Sequence, residues 1–328
     1  MIDFDELFAS FHMPVLVIGD VMLDTYWWGN TERISPEAPV PVVAVSKKEQ
    51  LIGGAGNVAL NLVSLGANVS LVSLVGEDEE AVQLKELLTA NKINTNYLCQ
   101  SKERGTTNKI RIISRNQHMM RLDAEVTQNL SATEETLFLQ KVETAIATEK
   151  PAVVIFEDYN KGVLTHTVIQ KIISRCKELN IATTVDPKRK NFFSYTGVDV
   201  FKPNLREAKE ALNIIEPGVS QPLLNQIHKA LQAKLGHDTS FITLSENGVY
   251  YCNDSEENWV PTHARNIADV SGAGDTVIAV ASLVFAATRN RKLMAEMANI
   301  AGGIVCEEVG TVAINKETFL AECKRLLL

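Results

Sequence analysis

The segment Asp269-Val-Ser-Gly-Ala-Gly-Asp-Thr276 runs directly into an apolar stretch, residues 277–287, with the composition of a buried helix. Glycines 272 and 274 permit backbone conformations that residues with a Cβ avoid, and they let a ligand approach the main chain closely. Backbone N–H groups at the N-terminus of a helix attract anions. The segment therefore predicts an anion-binding turn made of Ser271, Gly272, Ala273 and Gly274.

A carboxylate, Asp275, follows this turn at once, where bound phosphates would repel it. The conflict disappears if Asp275 takes a proton from an attacking hydroxyl while the turn stabilises the phosphoryl group in transfer. Capping of the helix is the simpler alternative, because aspartate is common at helix N-termini. We predict from this pattern that Asp275 is a catalytic base.

Short β-branched runs alternate with segments of helical periodicity through much of the chain. The predicted buried strands are residues 15–19, 69–75, 152–156, 181–185, 198–201 and 241–244. The predicted helices between them are residues 57–65, 79–90, 133–148, 167–179 and 222–234. Such alternation implies a parallel sheet covered by helices on both faces, so the predicted fold class is α/β.

Two stretches, residues 25–45 and 106–123, contain strand-like runs with no helix between them. Polar and apolar residues alternate from Lys109 to Ile113, which is typical of strands with one solvated face. We interpret the two stretches as a discontinuous β lid over a cleft. Residues 1–328 have no internal repeat or long linker and are predicted to form one domain.

The composition excludes several classes of function. The net charge of −8 among 328 residues argues against a broad nucleic-acid surface. Five scattered cysteines without metal-ligand spacing indicate reduced thiols. The N-terminal residues do not resemble a signal peptide, and the longest apolar run is too short for a membrane span. We predict a cytoplasmic protein without nucleic-acid or membrane partners.

The anion-binding turn with Asp275 resembles the C-terminal signature of the ribokinase-like (phosphofructokinase B-type) carbohydrate kinases, although Ser271 stands where threonine is more usual. A second signature of that family resembles the run from Gly53-Gly-Ala-Gly-Asn57 to Ala67. The resemblance implies a three-layer α/β/α fold, ATP as a substrate and a sugar as the acceptor. The sugar-binding residues that it implies include Asp20, Asp24, Gly53, Gly54 and Asn57.

A dinucleotide-binding motif is the alternative interpretation of the glycine-rich run. Residues 54–59 fit G-x-G-x-x-A, and Glu77 lies at a suitable distance for a ribose-binding acid. In such a site the first glycine follows its strand directly, whereas residues 46–50 separate the predicted strand 42–45 from Gly53. The dinucleotide interpretation is therefore disfavoured, and no Walker A sequence is present in the chain.

The segment Asn204-Leu-Arg-Glu207 is similar to the N-x-x-E motif of the family. The resemblance implies that Glu207 organises Mg²⁺ through water beside the ATP phosphates, a role suited to oxygen ligands. The same spacing also fits a helix capping box. By resemblance, the ATP- and Mg-binding residues are Asn204, Leu205, Arg206, Glu207, Ser245, Gly248 and Asn299, and a monovalent cation is a further candidate cofactor.

The stretch from Trp28 to Val43 closely resembles the D-glycero-β-D-manno-heptose 7-phosphate kinases, as do residues 114–117, 121–123, 158–162 and 186–188. The resemblance implies phosphorylation at the anomeric C1 oxygen, on the route to ADP-heptose for lipopolysaccharide core. Many such relatives continue into a nucleotidyltransferase domain, and this chain carries no H-x-G-H motif of that domain. We therefore expect either a stand-alone kinase or the kinase part of a longer protein.

A sugar that carries a phosphate needs a cation far from Asp275, and arginine suits bidentate phosphate contact. Candidates for the sugar end are Arg33, Lys109, Arg111, Arg115, Asp158 and Lys161. Cations on an exposed strand can also simply keep an edge soluble. Pairing of the exposed lid edges predicts a homodimer. Two alternatives stay open: another phosphosugar kinase, acting on fructose or tagatose 6-phosphate, and a non-catalytic sugar- or nucleotide-binding regulator.

Overall fold

A central sheet of eight strands forms the middle of the computed structural model, which describes residues 2–115, 117–263 and 265–328. The strand order is β14-β13-β12-β11-β10-β9-β1-β4. The strands of this sheet are β1 (Pro14–Gly19), β4 (Asn68–Val72), β9 (Val153–Glu157), β10 (Ala182–Asp186), β11 (Val200–Phe201), β12 (Thr239–Thr243), β13 (Val249–Cys252) and β14 (Glu257–Val260).

Six of these strands, from β12 to β4 in the sheet order, run parallel, while β13 and β14 continue one edge in antiparallel fashion. Strands β9 and β10 are buried along their whole length, as expected of parallel strands covered on both faces. The predicted parallel α/β sheet is thus confirmed. The antiparallel edge was not predicted, because its short runs lack a following helix.

Ten α-helices are described. They are α1 (Phe4–Ser10), α2 (Ala55–Ser64), α3 (Glu79–Ala90), α4 (Ala132–Glu149), α5 (His166–Glu178), α6 (Leu205–Leu212), α7 (Gln221–Leu235), α8 (Ala273–Thr288), α9 (Arg291–Val305) and α10 (Lys316–Leu327). None of the helices in the described parts of the chain has the length and hydrophobicity of a transmembrane span.

The two faces of the central sheet carry separate hydrophobic cores. Val15 and Val17 of β1 pack in a core with α2, α8 and α9, whereas Leu16 and Ile18 pack in a core with α4, α5 and α7. This alternation follows from the two-residue period of a strand. The result is the predicted three-layer α/β/α arrangement, with the apolar helix α8 buried along most of its length.

A second sheet of four strands, in the order β3-β2-β7-β8, contains the two stretches predicted as a lid. Its strands are β2 (Val21–Ile34), β3 (Pro41–Gly54), β7 (Asn108–Ser114) and β8 (Gln117–Ala124). All of β8 is exposed, and residue 116 of the predicted lid lies outside the described residues. A separate pair joins β5 (Leu74–Gly76) to β6 (Cys99–Ser101).

Two details of the sequence-based prediction were wrong. The predicted strand 69–75 is two strands, broken at Ser73, whose hydroxyl donates to the carbonyl of Gly19 at 2.6 Å and accepts from the N–H of Val21. The predicted strand 42–45 continues unbroken to Gly54, so the glycine-rich run does follow its strand directly. The dinucleotide interpretation fails for another reason, since β3 is an antiparallel strand of the second sheet.

Candidate active site

The carboxyl ends of the parallel strands bring several charged side chains to one edge of the central sheet. Asp20 follows β1, Glu157 ends β9, Asp186 ends β10, and Lys202 follows β11. All four side chains are buried. Ligands of open parallel sheets bind at this edge, in the crevice outside the strands. The candidate active site is therefore built on the edge that also faces the N-terminus of α8.

The turn before α8 depends on a glycine. Gly272 is the N-cap of α8, with φ of 77°, in the left-handed region that favours glycine. A Cβ there would lie 2.9 Å from Cγ2 of Thr311 and 3.0 Å from Nδ2 of Asn57. The hydroxyl of Ser271 donates to Asp269, which also accepts the N–H of Gly310. These contacts fix the predicted anion-binding turn at the first turn of the helix.

Asp275 lies in that first turn and is buried, with 6% of its surface exposed. Its Oδ2 accepts from Nδ2 of Asn57 at 2.7 Å, and its Oδ1 accepts from the hydroxyl of Tyr159 at 2.8 Å. Burial raises the pKa of Asp275 to about 6, against the lowering effect of these two hydrogen bonds. A carboxylate with such a pKa suits general base catalysis near neutral pH.

Three carboxylates, those of Glu157, Asp186 and Asp275, have oxygen atoms within 4.8 Å of one another. Lys202 lies 2.9 Å and Lys188 3.2 Å from the oxygens of Asp186. Burial acts to raise the pKa of Asp186, but the two ammonium groups outweigh it and lower that pKa. Asp186 is therefore the ionised member whose charge is balanced within the protein.

The surroundings of Glu157 have the opposite effect on its pKa from those of Asp186. Glu157 is fully buried, and neither of its carboxylate oxygens has a hydrogen-bond partner among the described residues. Burial, together with the charges of Asp186 and Asp275, raises the pKa of Glu157 well above its ordinary value. A buried carboxylate without partners is costly when ionised, so Glu157 favours its neutral form in this state of the protein.

The predicted N-x-x-E pair forms the capping box of α6. Oδ1 of Asn204 accepts the N–H of Glu207 at 2.8 Å, and Oε2 of Glu207 accepts the N–H of Asn204 at 2.8 Å. The remaining Oε1 of Glu207 lies 3.0 Å from the ammonium of Lys188. Together with Asp186 and Asp275, this carboxylate gives the edge a surplus of negative charge over its two lysines, which fits a divalent cation beside nucleotide phosphates.

The other predicted nucleotide-binding residues lie on neighbouring elements. Ser245 and Gly248 form the turn after β12 with φ of 53° and 90°, and a Cβ at Gly248 would lie 2.1 Å from the carbonyl oxygen of Val260. Asn299 of α9 donates to the carbonyl of Pro261 at 2.9 Å. Arg206 points into solvent and pairs with Glu210 at 2.7 Å, whereas Leu205 packs against the hydrophobic core that α4, α5 and α7 share.

The two predicted sugar-binding carboxylates, Asp20 and Asp24, form hydrogen bonds and an ion pair with other groups of this chain. Asp20 accepts the backbone N–H groups of Tyr159, Lys161 and Val163, and Asp24 pairs with Arg111. Gly54 has φ of 60°, and a Cβ there would lie 2.3 Å from the carbonyl oxygen of Asp20. Asp20 therefore holds the loop that follows β9 against the glycine-rich end of β3.

Asp158 faces away from this edge. One of its oxygens accepts from Tyr195 at 2.8 Å and from Asn191 at 3.1 Å, and the other accepts the N–H of Asn160 at 2.8 Å. The carboxylate is 1% exposed. Its contacts are those of a residue that orders the loop after β9, and the structure does not bring it to Asp275.

The predicted phosphate-binding cations differ in their surroundings. Lys109 lies 3.4 Å from both Asp123 and Glu125, Lys161 lies 2.7 Å from Glu125, and Arg111 pairs with Asp24. Two others, Arg33 and Arg115, are exposed at the far end of the second sheet. A phosphate at the first three would have to compete with carboxylates.

Sequence reasoning assigned no role to Glu157, Tyr159, Asp186, Lys188 or Lys202, although they surround Asp275. A signal was present, because Glu157 and Asp186 end buried β-branched runs and so lie at the carboxyl edge of a parallel sheet. The side-chain direction of Tyr159 had no such signal, since it depends on the loop that Asp20 holds.

Comparison with known sequences gives a consistent result. The profile of the pfkB family carbohydrate kinases matches residues 14–318. The bifunctional protein HldE of Methylobacillus flagellatus is 42% identical over 307 residues, which cover 93% of this chain and 62% of that protein. HldE of Sulfurimonas denitrificans is 38% identical over 313 residues, covering 94% of this chain and 64% of that protein. The chain thus spans less than two thirds of the length of these relatives.

Among solved structures, the crystal structure of phosphofructokinase-2 from Escherichia coli in complex with potassium superposes with a TM-score of 0.78. The superposition covers 95% of this chain and all of that one, at 15% sequence identity. At that identity the likeness concerns the fold, which is ribokinase-like.

Proposed function

Because the chain belongs to the pfkB family of carbohydrate kinases, we propose that it transfers the γ-phosphoryl group of ATP to a phosphosugar, with Asp275 as the base. The acceptor is D-glycero-β-D-manno-heptose 7-phosphate, and the product is the 1,7-bisphosphate. The observation that carries the proposal is the placement of buried Asp275 in the first turn of α8, directly after the anion-binding turn.

Asp275 removes the proton of the C1 hydroxyl as the oxygen of that hydroxyl attacks the γ-phosphorus and the bond to the leaving ADP breaks. Asn57, on Oδ2, orients the carboxylate. The backbone N–H groups at Gly272 and Gly274 face the charge that develops on the transferring group, whereas that of Ala273 donates to the carbonyl of Val270 at 3.3 Å. Most of the rate enhancement then comes from positioning and electrostatics.

Mg²⁺, when bound, would neutralise negative charge on the phosphates during transfer. Asn204 and Glu207 would hold it, with Glu207 acting through water, and the surplus of carboxylates at this edge favours a cation there. Lys188 pairs with Oε1 of Glu207 and with Asp186, and its ammonium can also bind the nucleotide phosphates, since an ammonium binds phosphate as a point charge.

At the other end of the cleft, the sugar lies between the central sheet and the four-stranded sheet, which acts as the lid. Gly53, Gly54 and Asn57 contact the hydroxyls, and Asp20 and Asp24 shape the wall behind them. The 7-phosphate is held by cations of the lid and of the loop after β9, from the set Arg33, Lys109, Arg111, Arg115 and Lys161. Closure of the lid excludes water.

The heptose assignment rests on the stretch from Trp28 to Val43 and on the similarity to HldE proteins, which reaches 42% identity. The stretch forms parts of β2 and β3, the two longest strands of the lid. Specificity within one fold resides in such variable elements around the site rather than in the catalytic turn.

The test is ADP release from ATP–Mg²⁺ with heptose 7-phosphate, fructose 6-phosphate and ribose as acceptors, with Asp275→Asn as the blank. Preference for the heptose phosphate that the variant lacks would support both the acceptor and the base. Preference for fructose 6-phosphate would support the kinase and refute the acceptor. Absence of turnover with every sugar, with binding retained, would favour a regulator. Repeating the assay in potassium and in choline salts tests the monovalent cation.

We also propose that a second copy of the chain covers the lid. Strand β8 is an exposed edge of its sheet, and three apolar side chains on it are more than 40% exposed: Met119, Met120 and Leu122. An open edge of this kind pairs readily with another chain. Light scattering at micromolar concentration should give a dimer mass, and Met120→Glu should lower it to that of a monomer; a monomeric wild type would refute this interface.

A further inference from the structure

The hydroxyl of Tyr159 makes the contact with the base that an acceptor hydroxyl must make. It donates to Oδ1 of Asp275 at 2.8 Å. A hydroxyl about to lose its proton lies at the same distance from the same kind of oxygen. The phenol of the protein thus occupies one of the two carboxylate oxygens on which the proposed reaction depends.

The rest of Asp275 offers little room for a second hydroxyl. Its Oδ2 already accepts from Asn57 at 2.7 Å, and only 6% of the residue is exposed. Glu157 and Asp186 approach from the strand ends below it. A sugar hydroxyl can reach the base only if a group that now covers it moves.

Tyr159 is the covering group that is best able to move. Its backbone N–H is fixed by Asp20 at 2.8 Å, so the loop itself is held. Its side chain is only partly buried, and the contact with Asp275 is the only hydrogen bond of its hydroxyl among the described residues. Lys188, whose ammonium lies 5.7 Å from the centre of the ring, is an ion-pair partner of Glu207 on the nucleotide side. Binding of nucleotide phosphates by Lys188 would therefore loosen the ring as well.

We propose that Tyr159 covers Asp275 in the sugar-free enzyme and is displaced by the acceptor hydroxyl, so that the base becomes available only when the sugar is bound. The inference rests on the proposed role of Asp275 as the base, and it extends that role to the choice between a sugar and water as the acceptor.

The consequence concerns wasteful hydrolysis of ATP. A water molecule on Oδ1 would give its proton to Asp275 while its oxygen bonded to the γ-phosphorus and the bond to ADP broke, releasing inorganic phosphate. The phenol ring of Tyr159 occupies the place that this water needs.

Two variants separate the hydrogen bond from the covering ring. Tyr159→Phe removes the bond that the sugar must displace, so the Kd of heptose 7-phosphate, measured by calorimetry without ATP, should fall about tenfold, the worth of one hydrogen bond to a charged group. Its kcat should stay within about twofold of wild type, because the phenol is absent from the reacting complex. Tyr159→Ala removes the ring, and its sugar-free ATP hydrolysis should rise about tenfold as water reaches the base.

Tyr97→Phe is the matched control. Tyr97 donates to the carboxylate of Glu149 at 2.6 Å, so the variant loses the same kind of bond away from Asp275 and from the loop that carries Tyr159. It should change neither the Kd of the sugar nor the sugar-free hydrolysis. Weaker sugar binding or a large loss of kcat in Tyr159→Phe would overturn the proposal, since it would place the phenol on the base or on the sugar during the reaction.

The hydrolysis assay keeps this inference separate from the proposed acceptor, because it contains only ATP and Mg²⁺. If another sugar proves to be the substrate, the expected rise in Tyr159→Ala is unchanged. Sugar-free hydrolysis in a folded Tyr159→Ala protein that equals that of wild type would refute the covering role. Introduction of Asp275→Asn into Tyr159→Ala should abolish the rise, and a rise that persists there would also overturn the proposal.

Discussion

Replacing Asp275 by asparagine should stabilise the protein in a pH-dependent way while it removes the proposed base. Burial raises the pKa of Asp275 from 3.8 to about 6, which corresponds to a cost of about 3 kcal/mol for holding the ionised carboxylate in the fold at pH 8. The pKa of Asp275 is higher in the folded protein than in the unfolded chain. Its contribution to the stability of the fold is therefore complete at a pH below the pKa of the unfolded chain. That contribution is lost as the pH rises through about 6.

The contribution of Asp275 to the free energy of unfolding differs between pH 5 and pH 8. At pH 5 the folded protein still binds the proton and the unfolded chain has largely released it, so about half of the 3 kcal/mol remains; at pH 8 none remains. Asparagine does not titrate. The free energy of unfolding of Asp275→Asn minus that of wild type should therefore increase by about 1.4 kcal/mol from pH 5 to pH 8.

The hydrogen bonds of the site change the difference in free energy of unfolding by the same amount at every pH. They therefore do not affect how that difference depends on pH. Asn57 and Tyr159 both donate to the carboxylate, and an asparagine side chain has only one acceptor oxygen. In the variant, the side-chain NH₂ group therefore faces one of these two donors. This contact costs about 1 kcal/mol at every pH. Urea unfolding of both proteins at pH 5 and pH 8 measures the difference. An unchanged difference would refute the burial of an ionisable base, whatever the activity of the variant.

Three further predictions concern the same edge of the sheet. The kcat/KM of the wild type should fall about tenfold per pH unit below about pH 6, as Asp275 takes up its proton, and a profile flat to pH 5 would contradict this base. Gly272→Ala should lower kcat/KM by at least about tenfold, because the new Cβ would crowd Asn57 and Thr311, whereas Gly218→Ala, at a similar φ in open space, should leave activity unchanged. Lys202→Met should destabilise the fold by about 3 kcal/mol or more in chemical denaturation, since it leaves buried Asp186 with one cation; Lys47→Met, at an exposed pair, should cost less than about 1 kcal/mol.

The sequence was sufficient for the fold because its signals are local. Strands β9 and β10 are continuous β-branched runs, and the glycine-rich turn before α8 has a composition that few other structures require. The sequence underestimates the extent of β3, because residues 46–50 are polar and such a run predicts a loop. They are exposed or half-buried on a strand of the four-stranded sheet, where one face is solvated and polar residues are expected.

Several sequence-based assignments stay predictions. The roles of the individual site residues, the single-domain organisation, the monovalent cation and the cytoplasmic location depend on ligands, partners and surroundings beyond the folded chain. For Asp20 and Asp24 the geometry adds a specific point, because both carboxylates already have protein partners in the absence of sugar. Any sugar contact they make must share or displace those partners.

The site around Asp275 could not be predicted in full because its chemistry depends on groups that are distant in sequence. Glu157, Asp186 and Asp275 come from three elements, and their mutual repulsion is offset by Lys188 and Lys202. Lys188 also holds Glu207, so one ammonium joins the base cluster to the predicted magnesium residue. Binding of nucleotide phosphates and a cation would compete for that ammonium and that carboxylate together. The energetics of Asp275, the proposed base, and of nucleotide binding are therefore coupled through Lys188, and a substitution that alters one should alter the other.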